Sequence, residues 1–408
     1  MKCRHCSEPL EHVFLDLGFA PHSNAFLTPD QLFEFESYFP LRLLVCERCW
    51  LVQTIDHFRS DELFTNNYAY FSSVSNTWLT HAKDYADQIT KRLTLDASSF
   101  VIEIASNDGY LLKNFVQMGI PCLGIEPTDS TAIAAETLGV PVLKEFFGSV
   151  CATKLANLNK KADLIAGNNV YAHVPDINDF TKGLKTALKL GGTITLEFPH
   201  LLNLIQQNQF DTVYHEHFSY LSVYTVQAIF WSVGLRVFDV EKIATHGGSV
   251  RVYGCHSEDS RSNCASVDVI IKEEQSFGLR SLSAYCNFQS KANIVKNDLL
   301  RFLLQAQLDG KKVCAYGAAA KGNTLLNYAG IKPDLIKFVC DAAASKQDKF
   351  MPGSHIPIVA PSFLKEYQPD FVVIFPWNIA QEVIQTIGFI KDWGGAFVTA
   401  VPALSIQR

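Results

Sequence analysis

The chain has 408 residues, of which 48% are hydrophobic and 19% charged, the composition of a folded, multidomain globular protein with ample core. Its formal net charge of −6 offers no polycationic surface for nucleic acid or anionic lipid, which leaves small-molecule chemistry favoured. The opening MKCRHCSEPL lacks the basic and apolar regions of a signal peptide, and no apolar run reaches the ~18 residues of a membrane span. The expectation is a cytoplasmic protein with no membrane or nucleic-acid partner; oligomeric state is open, a monomer included.

Four of the eleven cysteines form two CxxC pairs, Cys3 with Cys6 and Cys46 with Cys49. In a reducing compartment such pairs present four thiolates tetrahedrally to Zn²⁺. A shell of four sulfurs leaves no open coordination position, so the metal is expected to be structural; a redox CxxC is the alternative. The acidic residues Glu8, Glu11, Asp16, Asp30, Glu34 and Glu36 disfavour nucleic-acid binding by this module, whose expected role is to cap or shape a pocket. The other cysteines stand singly among apolar neighbours, as reduced small hydrophobes do.

From residue 100 the chain alternates strand and helix: FVIEI, a turn with one glycine, a helical LLKNFVQ, then PCLGIEP, TDSTAIAAETLG, ADLIAGNNV and GGTITLEFP. Alternation of this kind predicts a parallel sheet covered on both faces, with a ligand crevice at the strand C-termini. Glu126, some 20 residues past the turn, is placed to accept from ribose hydroxyls. The turn holds only Gly109 where a dinucleotide fingerprint needs three glycines. A cofactor without phosphates, such as S-adenosylmethionine, fits that turn better than NAD or FAD.

Next comes DTVYHEHFSYLSVY, residues 211–224, in which Tyr214, His215, Glu216 and His217 stand in a row. Each such group needs a partner or water when buried, at roughly 1–3 kcal/mol for every one left unpaired, so the segment is a wet loop or an active site. Its place after the GGTITLEFP strand puts it at the carboxyl edge of the sheet, facing the crevice. LRVFDVEKI and GGSVRVYG then form the antiparallel hairpin that closes a methyltransferase sheet. A helical stretch over about 264–309 leads to a second strand-turn-helix pattern from Lys311. There Gly317, Gly322 and Asp341 make an incomplete NAD fingerprint. Lys321 is placed to meet a diphosphate, with Arg251 and His200 as further candidates. The expected organisation is α/β throughout: a four-cysteine zinc-binding module with a substrate-facing segment over 1–75, a class I methyltransferase Rossmann-like domain over 76–262, and a second Rossmann-like domain with its linking helix over 263–408.

CRHC with CERC, LDLGFAPHSNAFL, NYAYFSSVS, EIASNDGYLL, GNNVYAHVPD, EFPHLLNLI, VYHEHFSYLS, HGGSVRVY, YGAAAKGNTLLNY and FPWNIA stand in one order along nearly the whole chain. In these ten motifs the chain resembles the zinc-containing sugar C-methyltransferases of deoxysugar biosynthesis. The resemblance implies S-adenosylmethionine and structural Zn²⁺ as cofactors, a nucleotide-diphosphate 4-keto-6-deoxy sugar as partner, and methylation at sugar carbon 3. Ala105-Ser106 stands where some members of that family carry a glycine. An NAD-dependent nucleotide-sugar oxidoreductase or epimerase, using the C-terminal fold, is the alternative reading.

Carbon methylation needs a carbon nucleophile, hence a base and a stabiliser for the enolate oxygen. A histidine with an ordinary pKa near 6.5 suits the first task. Spacing and the resemblance both point to His217. Glu216 would orient His217 or bind sugar hydroxyls, and Tyr214 would donate to the enolate oxygen. The resemblance maps further site residues onto Tyr68, with Tyr70 as an alternative that would contact substrate, and onto His173. The expected cofactor pocket is Glu103, Asn107, Asp108 and Gly109 at the first turn and Glu126 with Pro127 at the ribose. Phe146 and Phe147 lie near the adenine, unless they are core, and Asn168 and Asn169 follow the ADLIAGNNV strand.

Overall fold

The structure, a computed structural model, describes residues 1–55 and 71–408; Tyr68 and Tyr70 lie outside the described residues. The N-terminal module is built on three antiparallel strands, β1 (His12–Ala20), β2 (Phe39–Val45) and β3 (Val52–Thr54). Its two CxxC turns have the same backbone form. Ser7 and Trp50, each one residue past its pair, adopt left-handed φ of 63° and 62°. Their amides return to the carbonyls of Cys3 and Cys46, both at 2.9 Å.

The central sheet holds β4 (Val101–Ile104), β5 (Cys122–Ile125), β6 (Val142–Leu143), β7 (Ala162–Asn168) and β8 (Leu188–Pro199). After β8, the short β9 (Ser219–Tyr220) leaves this sheet to pair with β3, and β10 (Leu235–Ile243) and β11 (Ser249–His256) return as the hairpin. Strand order is β10-β11-β8-β7-β4-β5-β6, parallel from β8 to β6 and antiparallel at β11. Helices cover both faces, which is why strands such as VIEI are buried along their whole length. Order reverses between β4 and β7, the switch point at whose strand C-termini folds of this kind place a ligand.

The helices Ala265–Phe277 and Phe288–Leu308 lead into the third sheet. It comprises β12 (Val313–Tyr316), β13 (Val339–Cys340), β14 (Ile358–Val359), β15 (Phe371–Ile374), β16 (Ala396–Thr399) and β17 (Ser405–Gln407). The order is β14-β13-β12-β15-β16-β17, with only β17 antiparallel. One apolar cluster joins this fold to the N-terminal module: Phe14 of β1 stacks on Phe288 at 4.8 Å, and both are buried. The domains therefore share core rather than meeting only through loops.

Two local features differ from the sequence reading. The helical LLKNFVQ starts at Leu112, one residue late, after a loop in which Ala105, Asn107 and Gly109 take φ of 55°, 49° and 77°. Those left-handed residues break any helical run and curl the loop back on itself. β6, β9, β13 and β14 are two residues each, too short for periodicity to register.

Candidate active site

At the first turn, Glu126 accepts from the amides of Asn107 (2.9 Å) and Thr128 (3.0 Å), which locks the acidic end of β5 onto the loop after β4. Asn107 and Asp108 use their side chains outward along the chain. They accept from the amides of Ser72 (2.9 Å) and Ser73 (3.0 Å), and so anchor the segment that follows Tyr68 and Tyr70. Glu103 is enclosed, and burial raises its carboxyl well above the usual carboxylate range, with Tyr110 beside it opposing the shift.

Residues 210–217 form a single-turn helix, Phe210–Thr212, followed by a tight turn. The turn brings His217 Nδ1 to the carbonyl oxygen of Thr212 at 3.0 Å. A carbonyl only accepts, so Nδ1 carries the hydrogen and the neutral ring keeps its lone pair on Nε2. Among the described residues, three aromatic rings lie against that imidazole: Tyr214 at 4.0 Å, His173 at 4.6 Å and Tyr220 at 5.9 Å between centroids. His173 comes from the loop after β7, and desolvation pushes its pKa down to about 4, against a smaller upward pull from the Glu216 backbone. It is neutral at physiological pH.

Glu216, 4% exposed, accepts from Asn24 Nδ2 at 2.7 Å, a charge-assisted bond from the N-terminal module. His215 turns the other way, edge-on to His22 (5.4 Å) and Phe39 (6.3 Å) of that module. Sequence reasoning missed Asn24 and Tyr220. Asn24 stands in the LDLGFAPHSNAFL segment and Tyr220 within the YHEH segment, but neither announces its contact, which depends on two distant segments meeting.

Four expected site residues serve the scaffold instead. Arg251 is enclosed, its guanidinium over the Tyr85 ring at 4.3 Å, bonded to Glu197 (2.8 Å) and Glu241 (3.1 Å). His200 is 2% exposed and directs Nε2 at Glu274 (2.7 Å), whose carboxylate also takes the amides of Val223 and Tyr224 at a helix start. Neither is placed to reach a diphosphate. Gly109 packs on a helix: a Cβ there would lie 3.1 Å from Ala135 and 3.3 Å from Val140. Phe147 packs edge-on against Phe180 at 5.2 Å, whereas Phe146 is 47% exposed. Lys321, at the start of the helix Ala320–Ala329, bonds Asn378 and lies over the Trp377 ring at 4.7 Å.

Three family models match the chain: "Putative zinc binding domain" over residues 3–64, "Methyltransferase domain" over 78–240 and "C-methyltransferase C-terminal domain" over 244–402. The C-methyltransferase NovU of Streptomyces niveus is 31% identical over 401 residues, spanning 98% of this chain and 95% of that one. The chain belongs to the C-methyltransferase family. Among solved structures, magnesium protoporphyrin IX methyltransferase from Synechocystis PCC 6803 covers 50% of the chain at 13% identity, with a TM-score of 0.37. A methyltransferase from Clostridium acetobutylicum covers 44% at 13% identity, with a TM-score of 0.35. Among the described residues no helix is long and apolar enough to cross a membrane.

This C-methyltransferase is an S-adenosylmethionine-dependent enzyme, and its crevice fits that cofactor. Asp108 Oδ1, Asn169 Oδ1, both amide atoms of Asn168 and both oxygens of Glu103 are buried there without a well-formed hydrogen bond. Orphaned polar groups at the ends of β4 and β7, acceptors all but Asn168 Nδ2, are what an ammonium, a sulfonium and hydroxyls satisfy. In the N-terminal module the four sulfurs of Cys3, Cys6, Cys46 and Cys49 lie within 4.8 Å of one another. Sulfurs about 3.8 Å apart surround a zinc ion with 2.3 Å bonds, so the cluster needs little adjustment to take one.

Proposed function

We propose that this enzyme methylates carbon 3 of a nucleotide-linked 4-keto-6-deoxyhexose through an enolate, with His217 as the base and zinc as a structural ion. One observation carries the reading: the Thr212 carbonyl fixes the His217 tautomer that presents Nε2 as a proton acceptor, inside a C-methyltransferase. Nε2 removes the carbon 3 proton, made acidic by the adjacent ketone, and the electron pair passes to the carbonyl oxygen. Tyr214, its ring tilted against that of His217, donates to that oxygen as charge develops. Glu216 accepts from sugar hydroxyls while Asn24 holds it. His173, neutral by desolvation, adds no positive charge that would deter His217 from accepting a proton. Tyr68 and Tyr70 keep their proposed contacts with the sugar from the segment outside the described residues.

Bound S-adenosylmethionine would supply an electrophilic methyl group. Glu103, Asn107, Asp108, Asn168 and Asn169 would hold its amino-acid end, Glu126 and Pro127 its ribose and Phe146 its adenine. Lys321 would meet the diphosphate. The test is incubation with methyl-labelled S-adenosylmethionine and a panel of 4-keto-6-deoxy nucleotide sugars, followed by NMR of the product. A new carbon-bound methyl at carbon 3 is expected; label on oxygen, or none, contradicts the reading.

A further inference from the structure

We infer that Asp211 is a positioning residue through which the C-terminal domain, by the Trp377 indole, sets the ring of His217. The inference rests on the reading of His217 as the base. His217 Nδ1 donates to the Thr212 carbonyl, so the backbone at Thr212 is one of the groups that aim the ring. Asp211 is the middle residue of the single turn Phe210–Thr212 and is 1% exposed. Its Oδ2 accepts from Trp377 Nε1 at 2.7 Å, while Oδ1 is buried without a well-formed hydrogen bond. A carboxylate placed there costs free energy, visible as a pKa pushed by burial up to about 6 and relieved by Lys321 and the indole.

Trp377 is held in turn by contacts on two sides. Its ring lies under Lys321 Nζ at 4.7 Å. Its edge fills a notch at Gly247, where a Cβ would come within 2.4 Å of Cη2 and where φ is +83°. The Gly247 carbonyl takes Gln209 Nε2 at 2.7 Å, and the Gln209 carbonyl takes the Thr212 amide at 3.1 Å and its hydroxyl at 2.7 Å. Gln209, Gly247, Trp377 and Asp211 thus close a ring of contacts around Thr212. A separate tie, Thr324 Oγ1 to the Val213 carbonyl at 2.7 Å, holds the domains together when the indole bond is lost. Lys321, the proposed diphosphate contact, lies over Trp377 and in the field of Asp211, so events at the C-terminal fold reach Asp211 both directly and through the indole.

The test uses the full-length protein labelled with ¹⁵N-histidine, with the His217 resonances assigned by their loss in His217→Asn. Trp377→Phe keeps the ring and removes the N–H donor. It is expected to leave melting temperature and S-adenosylmethionine affinity close to wild type, while shifting the His217 nitrogen resonances away from the single Nδ1–H tautomer. In turnover, kcat is expected to fall about tenfold or more, the effect of losing roughly 1.4 kcal/mol of transition-state stabilisation. Asp211→Asn, which retains an acceptor for the indole, is expected to keep more activity and more of the native resonance than Asp211→Ala. Unchanged His217 resonances in folded Trp377→Phe and Asp211→Ala would overturn the inference. Full methyl transfer by His217→Asn would instead overturn the base assignment, and the resonances would still decide whether Asp211 sets the ring.

Discussion

The hydrogen bond from His217 Nδ1 to the Thr212 carbonyl fixes which ring nitrogen carries the proton. With Nδ1 committed to a carbonyl, Nε2 can only accept, and substituting asparagine removes the acceptor without touching any proposed cofactor contact. His217→Asn is expected to reduce transfer at least ~10³-fold while calorimetry shows S-adenosylmethionine binding within about threefold of wild type. Asn24 acts one residue away. Its amide donates to a buried carboxylate, a bond worth about 1.5–3 kcal/mol, so Asn24→Ala is expected to lower kcat/KM by one to two orders of magnitude. Unaltered kinetics in that variant would remove Glu216 from the substrate-facing set. His173 gives a pH signature. Its folded pKa near 4 lies below the unfolded value near 6.5, so the unfolded chain binds the extra proton. Stability from this group is therefore complete above about 6.5 and falls as pH drops toward 4. Asp211, raised to about 6, works in the opposite sense, contributing most below about 4 and losing its contribution as pH rises through 6. His173→Asn should flatten the acid side of a plot of unfolding free energy against pH by about 3 kcal/mol, and an unchanged slope would show that His173 charges freely in the fold.

The two CxxC turns reach the chemistry through the elements that follow them. β3 starts three residues after Cys49 and pairs with β9, Val52 opposite Tyr220 and Gln53 opposite Ser219, directly after His217. The Thr54 amide adds a bond to the Phe218 carbonyl at 3.1 Å. From the first turn, Arg4 donates to the carbonyls of Thr54 and Pro175, both at 3.1 Å, and stacks on the Phe218 ring at 5.3 Å. One arginine thus spans the loops of His173 and His217. Metal removal by a chelator, or Cys46→Ser, is expected to abolish turnover and lower the melting temperature by several degrees, with elemental analysis giving one zinc per active chain. Undiminished turnover in metal-free protein would separate the module from the site. The CxxC spacing was legible in sequence because ligand geometry is local. The β3–β9 pairing was not, since two residues carry no periodicity and the partner lies some 165 positions away.

Across the whole molecule, three domains converge on the segment 210–220. The N-terminal module supplies Asn24 and β3, the central sheet supplies His173 and the loop itself, and the C-terminal fold supplies Trp377 and Thr324. Strand-helix alternation revealed the two Rossmann-like sheets and the side of the central sheet on which a ligand sits, because hydrophobic runs and turn glycines are written locally. It could not tell which polar residues the scaffold uses for itself. Arg251 looked like a phosphate contact, but Glu197 on the neighbouring strand β8 claims it. Against the upward push of burial, the His81 bond and the Arg251 charge hold the Glu197 pKa down at about 2. Asp211 carried the reverse lesson: counted only as the start of a polar run, it is the link to the C-terminal fold. The central claim, enolate-based carbon methylation by His217, is tested most directly by solvent exchange. With a 4-keto-6-deoxy nucleotide sugar in D₂O and an unreactive S-adenosyl analogue, wild-type enzyme should exchange the carbon 3 proton, whereas His217→Asn should not. Equal exchange by both proteins, with methyl transfer intact in the variant, would contradict it.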